Sequence, residues 1–171
     1  FEVRCAHFQP FCGHYDVSAG TADYPAYGLS PEQAEAYVEW LSEQTGRSYR
    51  LPTAAELKAL KQARAGGAEN TPAYWAGFAP NPDEYNELRR RLAAHPVDAL
   101  LMPVGSRPPG HGANGTGPLL YDVDGNVAEW ARTDDGLRAE NGSVLTWENP
   151  KAEEAPEAPL RATGLRVVVD R

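Results

Sequence analysis

The apolar positions of this chain form short groups with helical spacing, and long polar stretches separate these groups. Ala34 and Val38 lie four residues apart, so they share one face of a helix. Ser30 precedes that face and Gln33 lies three residues after Ser30, which is the spacing of a capping box at a helix start. The pattern predicts a helix that begins after Ser30 and ends at Gly46.

A second capping box is formed by Thr53 and Glu56, and apolar residues at helical spacing follow it. Leu57 and Leu60 lie three residues apart, so we expect both on the buried side of this helix. Gly66 is the first residue that favours termination. The pattern predicts a second helix between Thr53 and Gly66.

The remaining apolar groups predict one more helix and several short strands. The third helix is expected to start near Asn81 and to end at Pro96. Strands are predicted at Phe1–Val3, Ser143–Trp147 and Leu165–Val169. The connecting stretches are rich in Gly, Pro and polar residues, and loops longer than about 12 to 15 residues are uncommon unless they are functional. The loops are therefore candidates for a function.

Length and charge narrow the class of protein. With 171 residues, the chain is predicted to form one domain that covers residues 1–171. Its 24 acidic and 16 basic residues give a net charge of −8, so a phosphate backbone would be repelled and we expect no nucleic-acid partner. No apolar run approaches the roughly 18 residues that cross a bilayer, so we expect no membrane span.

The sequence starts directly with residues that are typical of a β-strand. The chain begins at Phe1 without an initiator methionine, and no signal peptide is visible. We expect this domain to be part of a longer protein, fused to or assembled with another domain.

One segment in the last third of the chain is unusually acidic. Asp122, Asp124 and Glu129 lie within eight residues, and Gly125-Asn126 supplies a tight turn between them. Carboxylates this close repel one another, so the segment needs water or a cation, and Ca²⁺ takes oxygen ligands from loops of this kind. An EF-hand is excluded, because Gly and Glu occupy the fourth and eighth positions from Asp122 instead of the sixth and twelfth.

Three segments resemble motifs of one family in the family's own order. The segment Tyr121–Trp130 contains Gly-Asn-Val-Ala-Glu-Trp and is similar to the Gly-Asn-Val-x-Glu-Trp signature of the formylglycine-generating-enzyme, or sulfatase-modifying factor, family. Ser48–Glu56 resembles the family's Arg-Leu-Pro-Thr-x-x-Glu segment, and Gly164–Val168 resembles its closing Gly-Phe-Arg strand. The resemblance implies an α+β, C-type-lectin-like fold with short strands, a few helices and long loops.

The same resemblance implies a calcium site in the acidic loop. Asp122 and Glu129 would give side-chain oxygens to Ca²⁺, and Gly125 and Val127 would give backbone carbonyls. The residues themselves leave an alternative open, in which the acids cap turns and pair with arginines such as Arg166.

Catalysis is the point at which this sequence departs from the family. The resemblance implies a copper-dependent oxidase with two late cysteines, but the stretch from Ala131 to Gly164 contains no cysteine. Cu(I) favours thiolate ligands, so that chemistry lacks its ligands here. We therefore expect a non-catalytic module that binds a protein or small-molecule ligand. The alternative is an oxygen-dependent oxidase or a sulfoxide-synthase-type enzyme whose catalytic groups come from a missing segment or a partner chain.

The two cysteines lie near the start of the chain, interleaved with histidines. Cys5, His7, Cys12 and His14 could form a tetrahedral zinc set, although their spacing matches no known finger. Pro10 limits any helix here to a turn or two. A zinc site, a Cys5–Cys12 disulfide and two free thiols all remain open from sequence.

Three aromatic residues are the candidates for a ligand-binding surface. Aromatic side chains dominate binding hot spots, and Tyr74, Trp75 and Trp147 lie in or beside predicted loops. Packing in the core is an equal alternative for Trp75, which stands where the family has a buried Trp-Gly.

Overall fold

The computed structural model describes residues 2–15, 21–63, 83, 86, 90, 101–106, 121–123, 125–144 and 160–170. The helices are α1 (Cys5–Phe8), α2 (Pro31–Thr45) and α3 (Ala54–Ala63), with a 3₁₀ turn at Leu160–Ala162. The strands are β1 (Tyr49–Arg50), β2 (Ala128–Thr133), β3 (Gly136–Glu140), β4 (Thr163–Gly164) and β5 (Val168–Val169). This mixture of short helices and strands confirms the predicted α+β class.

Helix α2 begins and ends where the sequence predicts. Ser30 Oγ accepts the Gln33 backbone N–H while the Gln33 side chain accepts the Ser30 N–H, so both halves of the capping box are formed. Gly46 ends the helix in the left-handed region at φ 66°, which glycine adopts without steric cost. Its N–H donates to the Ser42 carbonyl.

Helix α3 has the predicted cap as well. The Thr53 N–H donates to Glu56 Oε2 at 2.8 Å, and the Glu56 N–H donates to Thr53 Oγ1 at 3.1 Å. Leu57 is 1% exposed, as expected for the buried side, whereas Leu60 is only partly buried. The predicted end at Gly66 lies outside the described residues. In the third predicted helix, the described residues 83, 86 and 90 are all helical.

Two small sheets join distant parts of the chain. In the first, β2 pairs antiparallel with β3 and parallel with β4. In the second, β1 pairs antiparallel with β5. The sequence did not predict β3, because Gly136–Glu140 has no β-branched residue and no clear alternation. The predicted strand at Ser143–Trp147 is reduced to an isolated bridge at Ser143 within its described part.

The main core lies between α1, α2 and the last strand region. Phe8, Leu51 and Leu165 have no exposed surface there. Gly164 permits close packing at the edge of this core, because a Cβ atom at that position would collide with the backbone oxygen of Ala26 and lie 3.0 Å from Val127 Cγ2. The other buried core residues are Val3, Ala26, Leu29, Ala34, Tyr37 and Val38.

No helix within the described ranges is both long and apolar enough to cross a bilayer.

Candidate functional site

The acidic loop, residues 121–130, is anchored where β2 meets β4. Glu129 lies opposite Gly164 in this parallel pair, which brings Arg166 beside Glu129. The Arg166 Nη2 atom lies 2.7 Å from Glu129 Oε1, and the two side chains are only 6% and 1% exposed. The Arg166 Nε–H donates to the same oxygen at 2.9 Å. Glu129 is therefore in a buried ion pair, as the alternative from sequence anticipated.

Arg166 also holds the first turn of the acidic loop. Its Nη2 group donates to the backbone carbonyls of Tyr121 and Asp122, each at 3.1 Å. On the other side of Glu129, the Asn141 side-chain amide donates to Oε2 at 3.2 Å. One guanidinium thus connects a carboxylate and two carbonyl oxygens within the protein interior.

Asp122 enters the loop in a left-handed conformation, with φ 50°. Its Oδ2 atom accepts the Gly105 backbone N–H at 2.6 Å, and the residue is 4% exposed. Within the described ranges, its Oδ1 atom has no hydrogen-bond partner. A buried carboxylate oxygen without a donor is unfavourable, so this atom is available to a cation or a water molecule.

Asn126 and Glu2 form the second half of the buried network. Asn126, also left-handed at φ 64°, donates through Nδ2 to Glu2 Oε2 at 3.0 Å and accepts the Met102 N–H at 3.0 Å. Glu2 Oε1 accepts the Val127 N–H at 3.4 Å. The carboxylate of Glu2 therefore lies under the acidic loop and stabilises its turn.

The network carries more negative than positive charge. Three buried carboxylates, those of Glu2, Asp122 and Glu129, share one buried guanidinium, that of Arg166. Burial, and then repulsion from Glu129 and Asp122, raises the pKa of Glu2 well above its usual value. An excess of buried negative charge favours either a bound proton or a bound cation.

The four residues predicted from sequence as calcium ligands all lie in the acidic loop. Asp122 and Glu129 supply carboxylates and Gly125 and Val127 supply backbone carbonyls, the donor types that Ca²⁺ prefers, and all four residues are buried. A cation would share the Glu129 carboxylate with Arg166. No three His, Cys, Asp or Glu side chains in the described part of the chain are grouped so as to hold a metal, so backbone carbonyls would have to complete the shell.

Among the described residues, the two cysteines form no disulfide and belong to no group of side chains that could hold a metal ion. Cys5 and Cys12 are both free. The Cys5 thiol is buried and donates to the Pro25 carbonyl at 3.2 Å. Burial raises the pKa of this thiol, and a protonated thiol is a poor nucleophile and a poor metal ligand.

The predicted ligand-binding residues Tyr74, Trp75 and Trp147 lie outside the described residues, as does Asp124 of the acidic loop. Sequence analysis missed Glu2 and Asn126 as members of the buried network. Glu2 contacts Asn126 across 124 residues of chain, so no local pattern could mark this pair.

The family described as "Sulfatase-modifying factor enzyme 1-like domain" matches residues 2–170. This chain belongs to the sulfatase-modifying factor family. The match covers nearly the entire sequence and confirms the resemblance of its three motifs.

Three solved structures have a fold similar to that of this chain. PvdO from Pseudomonas aeruginosa is 23% identical, with a TM-score of 0.52, and the match covers 88% of this chain and 63% of PvdO. CarF is 18% identical, with a TM-score of 0.51, covering 88% and 69% of the two chains. Treponema denticola variable protein 1 is 18% identical, with a TM-score of 0.57, covering 97% and 81%.

These similarities confirm the fold of the sulfatase-modifying factor family, the predicted α+β, C-type-lectin-like class. The chain spans less than two thirds of PvdO. The comparison with curated proteins gave no match.

Proposed function

We propose that this member of the sulfatase-modifying factor family is a non-catalytic module that binds a ligand or a partner protein. The observation that carries this proposal is the position of its cysteines. The family's copper chemistry, as the resemblance implies it, needs two thiolates between the acidic loop and the last strand. This chain has two cysteines in all, Cys5 and Cys12, and both precede α2.

The environment of Cys5 supports the same conclusion. Its thiol is held in the core by the Pro25 carbonyl and lies 3.9 Å from the Tyr15 hydroxyl. Soft-metal oxidases need accessible thiolates, whereas burial keeps this thiol protonated. Cys5 is therefore suited to packing, since buried thiols behave as small hydrophobic groups.

We also propose that the acidic loop binds Ca²⁺ through the side chains of Asp122 and Glu129 and the carbonyls of Gly125 and Val127. The unpaired Oδ1 atom of Asp122 and the excess of buried carboxylates support this site. The ion would order the loop and would take no part in a reaction. The neighbouring loops would then have a single conformation in which to bind a ligand.

An enzyme completed by another segment or a partner chain is the second candidate. It is favoured by the match of residues 2–170 to a domain whose description includes the word enzyme. In this case, residues of that other segment or partner chain would hold the copper or iron.

The two candidates differ in metal content and in oxygen use. The full-length protein, with any partner that copurifies, is supplied with one equivalent of Cu(I) or Fe(II) together with a thiol-containing peptide, and oxygen consumption and bound metal are measured. A binding module is expected to retain neither metal stoichiometrically and to consume no oxygen above the metal-only rate.

The double variant Cys5→Ser/Cys12→Ser provides the matched control, because it removes every thiol from the chain. We expect its behaviour in both assays to equal that of the wild type. Stoichiometric copper or iron together with oxygen consumption above the metal-only rate, in the wild type or in this variant, would contradict the proposal.

A further inference from the structure

A groove with aromatic walls lies on the side of the domain where α1, α2 and the β1–β5 sheet meet. Its cavity volume of about 610 Å³ is within the range of small-molecule sites. We name it the aromatic groove. Its apolar and aromatic lining is Tyr37, Trp40, Leu41, Tyr49 and Val167, and Arg4 and His7 lie at its α1 side.

The aromatic groove is built on a rigid base. Tyr37 is packed against Phe8, Phe11 and Trp40, with ring centroids 5.2 to 5.7 Å apart. Trp40 also contacts Phe11, at 5.8 Å between centroids. These side chains project from α2 and from the α1 region, so their relative positions are determined by core packing rather than by a loop.

The hydroxyl of Tyr37 is the unexplained group in this groove. The residue is only 2% exposed, yet its hydroxyl makes no hydrogen bond to any part of the chain that the structure describes. A buried hydroxyl usually has a partner, because leaving it unpaired is unfavourable. Desolvation, and then the nearby Tyr49, raises the pKa of Tyr37 to about 12, so this hydroxyl is a donor at neutral pH.

Hydrogen-bond donors at the groove favour a carboxylate as the ligand group. Arg4 donates through one nitrogen, Nη1, to Asp23 at 3.0 Å, and its other N–H groups have no acceptor among the described residues. Glu2 also lines the groove, but it is only 2% exposed, and its carboxylate accepts from Asn126 and Val127 under the acidic loop. Arg4 is therefore paired with Asp23 in charge but keeps N–H groups that can donate to a ligand in the groove.

We propose that the aromatic groove binds a small carboxylic acid with an apolar or aromatic body. The Tyr37 hydroxyl and the free N–H groups of Arg4 donate to the carboxylate, and the body of the ligand packs against Trp40, Leu41 and Val167. This inference deepens the proposed function and rests on it, since it assigns the ligand class of a binding module.

The test uses indole-3-propionate as the carboxylate probe and indole-3-propionamide as its neutral isostere. Binding is followed by two-dimensional NMR of the tryptophan indole N–H groups, with the Trp40 signal assigned by Trp40→Phe. We expect the carboxylate to shift the Trp40 signal at millimolar concentration and to bind at least about tenfold more tightly than the amide. The Trp130 indole donates to the Leu29 carbonyl and does not line the groove, so its signal should stay in place.

Two variants test the donors separately. Tyr37→Phe removes one oxygen from a packed ring and should keep the fold, while weakening the carboxylate by about tenfold and the amide much less. Arg4→Gln should have the same selective effect. Arg138→Gln is the control, since Arg138 is 57% exposed on β3 and its removal changes the net charge equally.

Three outcomes would overturn the inference. The first is a Trp40 signal that neither probe shifts at about 10 millimolar, a concentration at which weak ligands still bind. The second is equal affinity for the acid and the amide. The third is equal weakening of carboxylate binding by Arg138→Gln and Arg4→Gln. Each of these leaves the oxygen and metal assays unchanged, so failure of the aromatic groove is distinguishable from failure of the proposed function.

Discussion

Arg50 joins the start of α3 to the last described residues of the chain through its side chain. Its Nη1 and Nη2 groups donate to the two oxygens of Glu56, each at 2.7 Å, and its Nε–H donates to Asp170 at 2.8 Å. Because a guanidinium and a carboxylate match in a two-bond geometry, the Arg-Leu-Pro-Thr-x-x-Glu motif is a structural clamp as well as a helix start.

This clamp makes a prediction about acid stability. The Arg50 hydrogen bonds, and then the Thr53 N–H, lower the pKa of Glu56 to about 2, below the roughly 4.3 of an unfolded chain. Because the pKa is lower in the folded state, ionised Glu56 stabilises the protein at pH values above the unfolded-state pKa. This contribution to the unfolding free energy is lost as the pH falls toward 2. The effect should be small, since Glu56 is 40% exposed.

The measurement is the urea midpoint at pH 6 and at pH 2.5 for wild type and Glu56→Gln. The variant should be less stable at pH 6, and the difference between the two proteins should shrink at pH 2.5. Glu43→Gln, on the exposed side of α2, should follow the wild type at both values. A constant difference between wild type and Glu56→Gln would contradict the assigned pKa.

We expect the substitution of Arg166 to cause the largest loss of unfolding free energy. Replacing it with Met leaves Glu129 buried without its cation, a change that costs about 3 to 5 kcal/mol of unfolding free energy. Chemical denaturation measures this loss. The exposed Arg138, whose nearest carboxylate contact with Glu140 is 3.7 Å, provides the control as Arg138→Met and should cost about 0 to 1 kcal/mol.

A double variant keeps this prediction testable if Arg166→Met does not fold. Glu129→Gln/Arg166→Met removes both buried charges and should recover part of the lost stability. If Arg166→Met is as stable as Arg138→Met, the buried pair is not the anchor of the acidic loop.

At the scale of elements, the helix caps are the features that local sequence determines most completely. Both capping boxes contain their reciprocal hydrogen bonds, in α2 at Ser30 and in α3 at Thr53. Each cap satisfies N–H groups that have no partner within the helix, so neither depends on a distant contact.

The corresponding prediction is that Ser30→Ala and Thr53→Ala each lower the unfolding free energy by about 0.5 to 2 kcal/mol. Thr53→Ala should cost the more of the two, because Thr53 Oγ1 also contacts the Glu56 carboxylate that Arg50 holds. The measurement is the denaturant midpoint. Thr45→Ala at the exposed end of α2 is the control and should cost less. An unchanged midpoint in Thr53→Ala would contradict the role of its cap.

At the scale of the whole molecule, the acidic loop connects segments from both ends of the sequence. Glu2 from the first segment and Arg166 from the last both contact it. A cation bound there would therefore stabilise the domain as a unit and not the loop alone.

We predict that Ca²⁺ raises the melting temperature through this loop. A ligand present at a hundred times its dissociation constant adds about 2.7 kcal/mol, so EDTA should lower the melting temperature by several degrees. Asp122→Ala should remove the effect of EDTA and leave a folded but weaker domain. Asp134→Ala, in the exposed β2–β3 turn, should keep the effect. Wild-type melting curves that coincide with and without EDTA would contradict calcium binding.

The family and the site loop could both be recognised from sequence, because their signals are short and local. The Gly-Asn-Val-Ala-Glu-Trp segment identified the family, and the position of Gly125-Asn126 correctly marked a tight turn, in which Asn126 has a positive φ. The proposed lack of copper chemistry also depends only on where Cys5 and Cys12 stand in the chain.

By itself the sequence determined the starts of α2 and α3, since capping involves groups within three residues of each other. It did not determine β3, whose residues become a strand only because β2 offers a pairing edge. Nor could it choose a partner for Glu129. Arg166 lies 37 residues away, and only the parallel pairing of β2 with β4 brings the two charges together in the interior.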